Sequence, residues 1–265
     1  MHHLVRNSKV RLTILLFFIY LTALVQFLIW RSVGVLLFSV GFSVLCDLLF
    51  TLARKKRLFI PHAAVVTGFI IALLADPNGA WYFVVIAAAI AMAAKNFIRV
   101  SGRHIFNPAA IGLLVAGMLT NQYVTWWAVS FQNVQELNFN NLAMFLILAS
   151  PVVVSAYGVR RAYAVVSFLV SYAVLSHLFT FAFSVPSLVS RLFDAMTVFF
   201  SVVMVPEPMT SPIHPRRQVW YGITIALVAN LLAYPPILDA ISARWFMPDL
   251  LLPALLFGNA LFFRR

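Results

Sequence analysis

Charged residues are scarce in this chain of 265 residues, where they make up 10% of the sequence. A soluble domain carries about 25% charged residues, whereas 63% of this chain is apolar. So few charges cannot cover a water-facing surface, which excludes the soluble globular classes. We therefore predict an all-α polytopic membrane protein that forms one integral membrane domain over residues 1–265 and lies in the lipid bilayer.

Cysteine is almost absent as well. The single cysteine, Cys46, lies inside an apolar run, which excludes a disulfide framework, a cysteine-ligated iron–sulfur cluster or a cysteine zinc site within the chain. The six histidines show no metal-ligand spacing, so we expect no metal site. The first apolar stretch has no small-residue cleavage site after it and is interpreted as a retained span rather than a signal peptide.

Long apolar runs fill the sequence and predict about ten transmembrane helices. The connections between them are short, except for residues 120–141, which contain no Lys or Arg. The predicted segments are 12–30, 33–52, 58–75, 80–95, 105–119, 142–157, 162–183, 187–205, 217–234 and 249–263.

The basic residues are distributed unevenly between the two ends of these segments. If the N-terminus is cytoplasmic and the chain changes side at each span, sixteen of the nineteen Lys and Arg residues fall on the inner side. This is the partition that the positive-inside rule requires. It predicts that both termini are cytoplasmic and explains the net charge of +12 without nucleic acid as a partner. Three arginines fall on the outer side: Arg31, Arg191 and Arg244.

Two passages suggest an internal repeat. An acidic residue followed by proline ends the third segment as Asp76-Pro77, and Glu207-Pro208 ends the eighth, 131 residues later. Five spans separate them, and an odd number of spans inverts the second copy. Asn107-Pro108 and Met247-Pro248 form a second matched pair. We predict two inverted five-helix repeats, at about 12–119 and 142–263; the alternative is that proline is simply common at helix ends.

The segment that follows Asn107 is short. Asn107 and Pro108 form a helix start, with an N-cap residue and proline in the first helical position. A helix of about 12 residues is roughly 18 Å long, less than the 30 Å or so of hydrocarbon. Such a helix directs its positive dipole end into the protein, where a flavin phosphate or a carboxylate is the natural ligand. The alternative is an ordinary span that begins at the membrane surface.

Four acidic residues lie within or beside the apolar runs. Placing a charge in the apolar layer of a membrane costs about 3 kcal/mol. They are candidates for carrying an ion or a proton. The alternative for Asp76 and Glu207 is a turn acid that caps the next segment, and for Asp47 it is a pair with an arginine such as Arg54. The candidates are Asp47, Asp76, Asp194 and Glu207.

Three passages together resemble the RnfD/NqrB family, which comprises the D subunit of the Rnf electron-transport complex and the B subunit of the sodium-pumping NADH:quinone reductase. Residues 67–77 resemble its T-G-x-x-x-A-L run. Residues 95–110 resemble its K-x-x-x-G-x-x-x-F-N-P-A stretch, and residues 206–212 its T-D-P-x-[ST]-[SA] turn, with Glu207 in place of the usual Asp. The similarity covers about residues 60–234, and the family's fold is ten helices in two inverted repeats.

The resemblance implies a membrane subunit that passes electrons through a flavin, coupled to movement of Na⁺ or H⁺. It implies as partners other membrane subunits of a redox complex and an extracytoplasmic flavinylated protein, and as location the bacterial inner membrane. The family's covalent-FMN motif, D-G-x-[ST]-[GS]-A-T, is not present in residues 120–141, so we expect non-covalent FMN or riboflavin. The resemblance assigns cofactor binding to Thr67, Lys95, Arg103, Asn107, Pro108 and Thr210.

Two other functions remain open from the residues alone. The same inverted-repeat architecture can enclose a channel or transporter for a small polar solute, and the missing covalent-flavin motif favours that alternative. An assembly subunit without a cofactor is the third. We assign no catalytic residue to the chain, because electron transfer through a bound cofactor needs partner subunits that hold further carriers.

Overall fold

The computed structural model describes residues 8–55, 61–129, 139–180 and 192–263, and in these ranges the chain is mostly helical. The chain divides into two compact units. The first comprises Met1–Ala128 with the short segment Phe246–Asp249, and the second comprises Val129–Trp245 with Leu250–Arg265.

Five helices and one short hairpin are found in the described residues of the first unit. Apolar runs form α1 to α4, and the Asn107-Pro108 start begins α5. A two-stranded antiparallel hairpin joins α4 to α5, with Arg99 opposite His104 and Val100 opposite Arg103. The bounds are α1 Ser8–Phe27, α2 Arg31–Lys55, α3 His62–Leu74, α4 Trp81–Phe97, β1 Arg99–Val100, β2 Arg103–His104 and α5 Pro108–Thr120.

Helix α2 packs against both α3 and α4, and α4 packs against α5. Small residues make this close packing possible, because the helix backbones approach without side chains between them. Gly68 of α3 lies directly against the backbone of α2, because a Cβ atom at this position would lie 2.6 Å from the Cα of Val40. The face of α4 that packs inward is made largely of alanine, at Ala87, Ala88 and Ala91.

The second unit has a similar order of elements. Helix α7 packs against α9, which packs in turn against α11. Gly222 of α9 allows the close contact with α7, where a Cβ atom would lie 2.7 Å from the Ala164 carbonyl oxygen. The bounds are α6 Phe139–Ala149, a π-helical turn Val154–Gly158, α7 Ala162–Thr180, α8 Ala195–Phe199, a second π-helical turn Phe200–Met204, α9 Pro215–Ala233, α10 Pro235–Ser242 and α11 Leu251–Phe262.

The helices differ greatly in length. Three in the described ranges are long and apolar enough to cross a membrane, over Ser8–Phe27, Arg31–Arg54 and Ala162–Phe179. Helices α9 and α10 together form a fourth candidate that is bent by 72°. The shorter apolar helices include α3, α4, α5 and α11. The chain is therefore a helical integral membrane protein, as predicted, while the ten-span inverted repeat stays a prediction.

Each of the ten predicted segments contains a helix in the structure, but several bounds differ. The predicted segment 142–157 is divided into α6 and a π-helical turn. The predicted segment 187–205 becomes a helix only at Ala195, and its residues 187–191 lie outside the described ranges. Helix α10 was not predicted; it begins at Pro235, the first residue of the Pro235-Pro236 pair that follows α9.

Each unit also contains an asparagine that joins two of its helices. In the first unit, Thr51 of α2 donates a hydrogen bond of 3.0 Å to Asn96 of α4. In the second unit, Ser176 of α7 donates one of 2.8 Å to Asn230 of α9. Both asparagine amides also donate to the carbonyl oxygen four residues earlier on their own helix. The two units therefore use the same polar contact at equivalent places in their element order.

Candidate functional site

Asp47 and Lys95 form an ion pair inside the first unit. The Lys95 ammonium lies 2.6 Å from Oδ2 of Asp47. Asp47 is completely buried, about 12 Å along α2 from its last residue. Lys95 lies in the last turn of α4 and retains 12% side-chain exposure. A buried carboxylate in an apolar layer requires such a counter-charge.

Asn96 and Thr51 fix the orientation of the Asp47 carboxylate. The Asn96 amide nitrogen donates to Asp47 Oδ1 at 2.9 Å, and Thr51 Oγ1 donates to the Asn96 side-chain oxygen. Both carboxylate oxygens of Asp47 thus have a donor. The structure places together two residues singled out from the sequence, Asp47 and Lys95; the alternative partner Arg54 is wrong, since its side chain is exposed. The pairing depends on the packing of α2 against α4, which no local pattern reports.

The hairpin after α4 carries two basic residues. The Arg99 guanidinium donates to the carbonyl oxygens of Lys95 and Gly102, which ties the hairpin to the end of α4. Burial and the neighbouring Arg54 lower the pKa of Arg99, while Asp47 raises it. Arg103 lies on β2 and is partly exposed. Gly102 turns the hairpin with φ of +80°, a conformation that favours glycine.

Helix α5 begins as the sequence predicts. Asn107 is its N-cap residue, with its side-chain oxygen accepting from the Ala110 amide at 3.1 Å, and Pro108 follows in the first helical position. The helix has 13 residues, or about 20 Å. The start of this short helix is buried, over Asn107, Pro108, Ala109 and Ala110.

The start of α5 has fewer backbone amides available to bind an anion than the sequence suggests. Pro108 has no amide hydrogen, the Ala110 amide donates to the Asn107 side chain, and the Ile111 amide donates to the Asn107 carbonyl oxygen. The first turn is thus left with the Ala109 amide and the helix dipole. A phosphate group here would need a cation as well, and Arg103, four residues before the cap, is the nearest in sequence.

Asp76 forms a turn of its own. Its Oδ1 accepts from the amide of Asn78 at 2.8 Å, an Asx turn between α3 and α4. Helix α4 has Ala80 as its N-cap and no side-chain cap, so the alternative interpretation of Asp76 is right that it is a turn acid and wrong that it caps the next segment. Because Asx turns satisfy a backbone amide locally, the structure gives Asp76 a local role in the chain reversal.

The segment after α5 covers the end of α3. The amides of Thr125 and Trp126 donate to the Leu74 carbonyl oxygen, and the Ala128 amide donates to that of Leu73. The Trp127 indole nitrogen donates to the Ala72 carbonyl oxygen at 2.7 Å. The last carbonyl groups of a helix lack partners within the helix, and here residues 125–128 provide them. This buried end of α3 was not foreseen from the sequence.

Residues 246–249 complete this part of the first unit. The Val124 amide donates to the Pro248 carbonyl oxygen, and the Trp126 indole nitrogen donates to Asp249 Oδ2 at 2.8 Å. Met247-Pro248 therefore does not start a helix as Asn107-Pro108 does, contrary to the predicted matched pair. Helix α11 begins only at Leu251 and has no side-chain cap, because Pro248 and Asp249 are bonded to the segment after α5.

Glu207 lies in a turn of the second unit that follows the π-helical turn Phe200–Met204. Thr210 Oγ1 donates to Glu207 Oε2 at 3.3 Å, and Ser211 Oγ donates to the Glu207 carbonyl oxygen. Arg161, which is almost completely buried, donates from Nε to Ser211 Oγ at 2.9 Å. Helix α9 has His214 as N-cap without a side-chain cap, so Glu207, like Asp76, does not cap the next helix.

Tyr221 and Asn259 extend the polar group of the second unit. The Asn259 amide donates to the Tyr221 hydroxyl oxygen at 2.6 Å, and both residues are completely buried. The sequence analysis missed Arg161, Tyr221 and Asn259. Asn259 could have been found, because it is a polar residue in the middle of an apolar run.

Two further candidates have local roles in the structure. Asp194 is the N-cap of α8, where its Oδ2 accepts from both the amide and the hydroxyl of Thr197. Thr67 is buried in α3 and donates its hydroxyl to the Ala63 carbonyl oxygen at 2.9 Å. Back-bonding of this kind occupies the hydroxyl within its own helix. Neither residue is brought to the Asp47–Lys95 pair or to the hairpin by any hydrogen bond that the structure describes.

Comparison with known proteins identifies the family. The model of the NQR2, RnfD, RnfE family matches residues 2–144, more than half of the chain, and the chain belongs to this family. The match includes the passages around Thr67 and Asn107 but ends before the turn at Glu207. A search of the curated proteins returned no match.

Proposed function

We propose that this member of the NQR2, RnfD, RnfE family is the membrane subunit of an Rnf/Nqr-type redox complex that passes electrons through a non-covalently bound flavin, coupled to movement of Na⁺ or H⁺. The observation that carries the proposal is the family match over residues 2–144. A bound flavin would supply the acceptance and release of electrons. We place the chain in the bacterial inner membrane with both termini cytoplasmic, as two inverted five-helix repeats.

The hairpin and the start of α5 support a flavin site in the first unit. Arg103 is partly exposed and belongs to the segment that leads into the capped, buried start of α5. A positive helix end beside a guanidinium group favours the phosphate of FMN, and guanidinium binds phosphate with two parallel hydrogen bonds. Because the first turn of α5 offers little besides the Ala109 amide, we assign the charge compensation to Arg103. Riboflavin, which has no phosphate, would not need this cation.

The proposal requires partner subunits, because the chain lacks the cysteine ligands of an iron–sulfur cluster. Cys46 is its single cysteine, so electrons cannot pass to an iron–sulfur cluster held by this chain. The proposal therefore requires other membrane subunits with their own carriers and an extracytoplasmic flavinylated protein. Residues 130–138 of the longest connection lie outside the described ranges, and its sequence lacks the threonine motif for covalent FMN.

The test is the flavin content of the purified protein. We expect flavin absorbance close to one equivalent per chain, with the flavin released into the supernatant on acid precipitation. Arg103→Gln should lower the FMN content severalfold, since it removes the proposed phosphate partner. The matched control is Arg216→Gln, the same change at an exposed position at the start of α9.

Three results would contradict parts of the proposal. Purified protein without flavin would leave the chain without a carrier and favour the channel or transporter alternative. Flavin that stays with the acid precipitate would show a covalent bond. Equal flavin loss in Arg103→Gln and Arg216→Gln would remove the role assigned to Arg103.

A further inference from the structure

Helix α10 follows α9 after a bend of 72°. Helix α9 has 19 residues and is about 28 Å long, which by itself matches a hydrocarbon layer of about 30 Å. Helix α10 has 8 residues and is about 12 Å long, too short to cross the bilayer. In the proposed topology α9 crosses the membrane, so a helix turned by 72° from it runs close to the plane of the membrane surface.

The exposed apolar side of α9 ends where α10 begins. Leu227, Leu231 and Tyr234 are exposed, and their spacing of four and three residues places them on one side of the helix. Trp220 is exposed on the same side, 14 residues or about 21 Å before Tyr234. Tryptophan and tyrosine are enriched at the two edges of the hydrocarbon layer. Tyr234 therefore places the start of α10 at one of these edges.

Helix α10 is amphipathic, and none of its residues is buried. Ile237 and Ile241 lie four residues apart and thus on one side. The Trp245 amide donates to the Ile241 carbonyl oxygen, which places Trp245 one turn further along that side. Asp239 and Ser242, both exposed, lie on the other side. Amphipathic helices of this kind lie in the membrane interface with the apolar side towards the acyl chains.

Two residues at the end of α10 suit the headgroup layer. Trp245 is 63% exposed, and its indole combines a large apolar ring with one N–H donor. Such side chains favour the boundary between acyl chains and headgroups. Arg244 directly precedes it and is exposed, with a guanidinium group that matches the geometry of a phosphate. Its long side chain can reach the phosphate level while the neighbouring indole lies at the acyl boundary.

We propose that α10 is a membrane-surface helix that lies in the headgroup layer of the phospholipid bilayer. Ile237 and Ile241 contact the outer part of the acyl chains, and Arg244 binds a lipid phosphate. The occupant of this surface is lipid, because its apolar side continues the exposed side of a membrane span and has an exposed aromatic residue at each end. The inference rests on the proposed function only for the crossing of α9 and for the choice of the outer leaflet.

The test measures the depth of spin labels in purified protein reconstituted into vesicles of phosphatidylcholine and phosphatidylglycerol. Cys46→Ala removes the single cysteine, and Ile241→Cys then carries the label. The matched control is Asp239→Cys, on the other side of the same helix. Oxygen concentrates among the acyl chains and a nickel chelate in water, so their collision rates report depth. We expect a severalfold higher ratio of oxygen to nickel collisions for Ile241→Cys, at a depth of about 5–10 Å.

A second measurement keeps Cys46 and serves in case its removal prevents folding. The fluorescence of Trp245 is obtained as the difference between the unchanged protein and Trp245→Phe. Lipids brominated near the carbonyl end of the acyl chain should quench this difference more strongly than lipids brominated near the middle. Trp220→Phe gives the same difference for the exposed tryptophan near the start of α9 and should show the same preference, because both rings lie at an edge of the hydrocarbon layer.

Three results would overturn the inference. Equal, high nickel accessibility of the labels at Ile241→Cys and Asp239→Cys would place α10 in water. Labels shielded from both reagents would place it against a partner subunit or a second copy. A label at Ile241→Cys as deep as one at Leu227→Cys, in the middle of α9, would place α10 inside the hydrocarbon layer.

The side of the membrane is tested separately. An impermeant maleimide should react with Asp239→Cys in intact cells, since the proposed topology places α10 on the outer side. Reaction in inside-out vesicles alone would overturn the outer-leaflet assignment and the proposed topology with it. None of these measurements involves flavin, so a failure here is distinct from a failure of the proposed electron-transfer function.

Discussion

The indole nitrogen of Trp126 donates a hydrogen bond of 2.8 Å to the carboxylate of Asp249, a residue 123 positions later in the chain. The bond belongs to the first unit, although Asp249 lies two residues before the last helix, α11, which belongs to the second. Tyr123 supports the same attachment through its ring contact with Phe246, at 4.6 Å between centroids. The segment 246–249 is thus fixed to the first unit by polar and aromatic contacts together.

The first prediction concerns this bond. Asp249→Ala leaves the indole nitrogen without its partner and should destabilise the protein by about 1–3 kcal/mol, as expected for a hydrogen bond to a charged group. Asp249→Asn keeps an acceptor oxygen and should cost less. The measurement is thermal unfolding in detergent. Asp239→Ala, at an exposed acid on α10, is the control and should leave the Tm unchanged; equal effects at both positions would contradict the role of the bond.

Gly68 gives a prediction about helix packing. A Cβ atom at this position would lie 2.6 Å from Val40 Cα and 3.0 Å from the Ser39 carbonyl oxygen, which are backbone atoms that cannot rotate away. Gly68→Ala should therefore cost about 1–3 kcal/mol or more by overpacking. Gly34→Ala, on α2 with no atom within 4 Å of the new Cβ, should be neutral or stabilising by up to about 1 kcal/mol. Similar Tm values for the two variants would argue against the close approach of α2 and α3.

The cap of α5 gives a third prediction. Asn107→Ala removes the acceptor for the Ala110 amide and should destabilise the protein by about 1 kcal/mol. Asn107→Ser keeps an acceptor for the Ala110 amide without introducing a charge at this buried position, so its stability should fall less than that of Asn107→Ala. Thermal unfolding compares the two, and equal loss in both would mean that the side chain does more than cap the helix.

Arg161 and Arg160 provide a matched pair for the fourth prediction. Arg161 is almost completely buried and donates to Ser211, whereas the adjacent Arg160 is exposed. Arg161→Met should destabilise the second unit by about 2–4 kcal/mol, because it leaves the polar groups around Ser211 without their donor. Arg160→Met should have little effect, within about 0.5 kcal/mol. A protein equally stable with either change would contradict the buried role of Arg161.

Local patterns in the sequence predict the helices well. The apolar runs place a helix in each of the ten segments, and Asn107-Pro108 marks the start of α5 to the residue. These features depend on neighbouring residues: apolar length sets a helix, and a cap residue sets its first turn. The roles of the acidic residues could not be predicted from local patterns in the same way. Asp194 is a helix cap, and Asp76 forms an Asx turn.

The scarcity of charge by itself determined that this is a helical membrane protein, and the passages at residues 67–77 and 95–110, which the family match includes, indicated its family. Only the tertiary structure decided that Asp47 pairs with Lys95 rather than Arg54, and that Asp249 is bonded to Trp126. The physical reason is that a buried charge takes whichever partner helix packing brings within hydrogen-bond distance. That packing depends on small residues such as Gly68 on neighbouring helices, whose effect the local sequence around Asp47 does not contain.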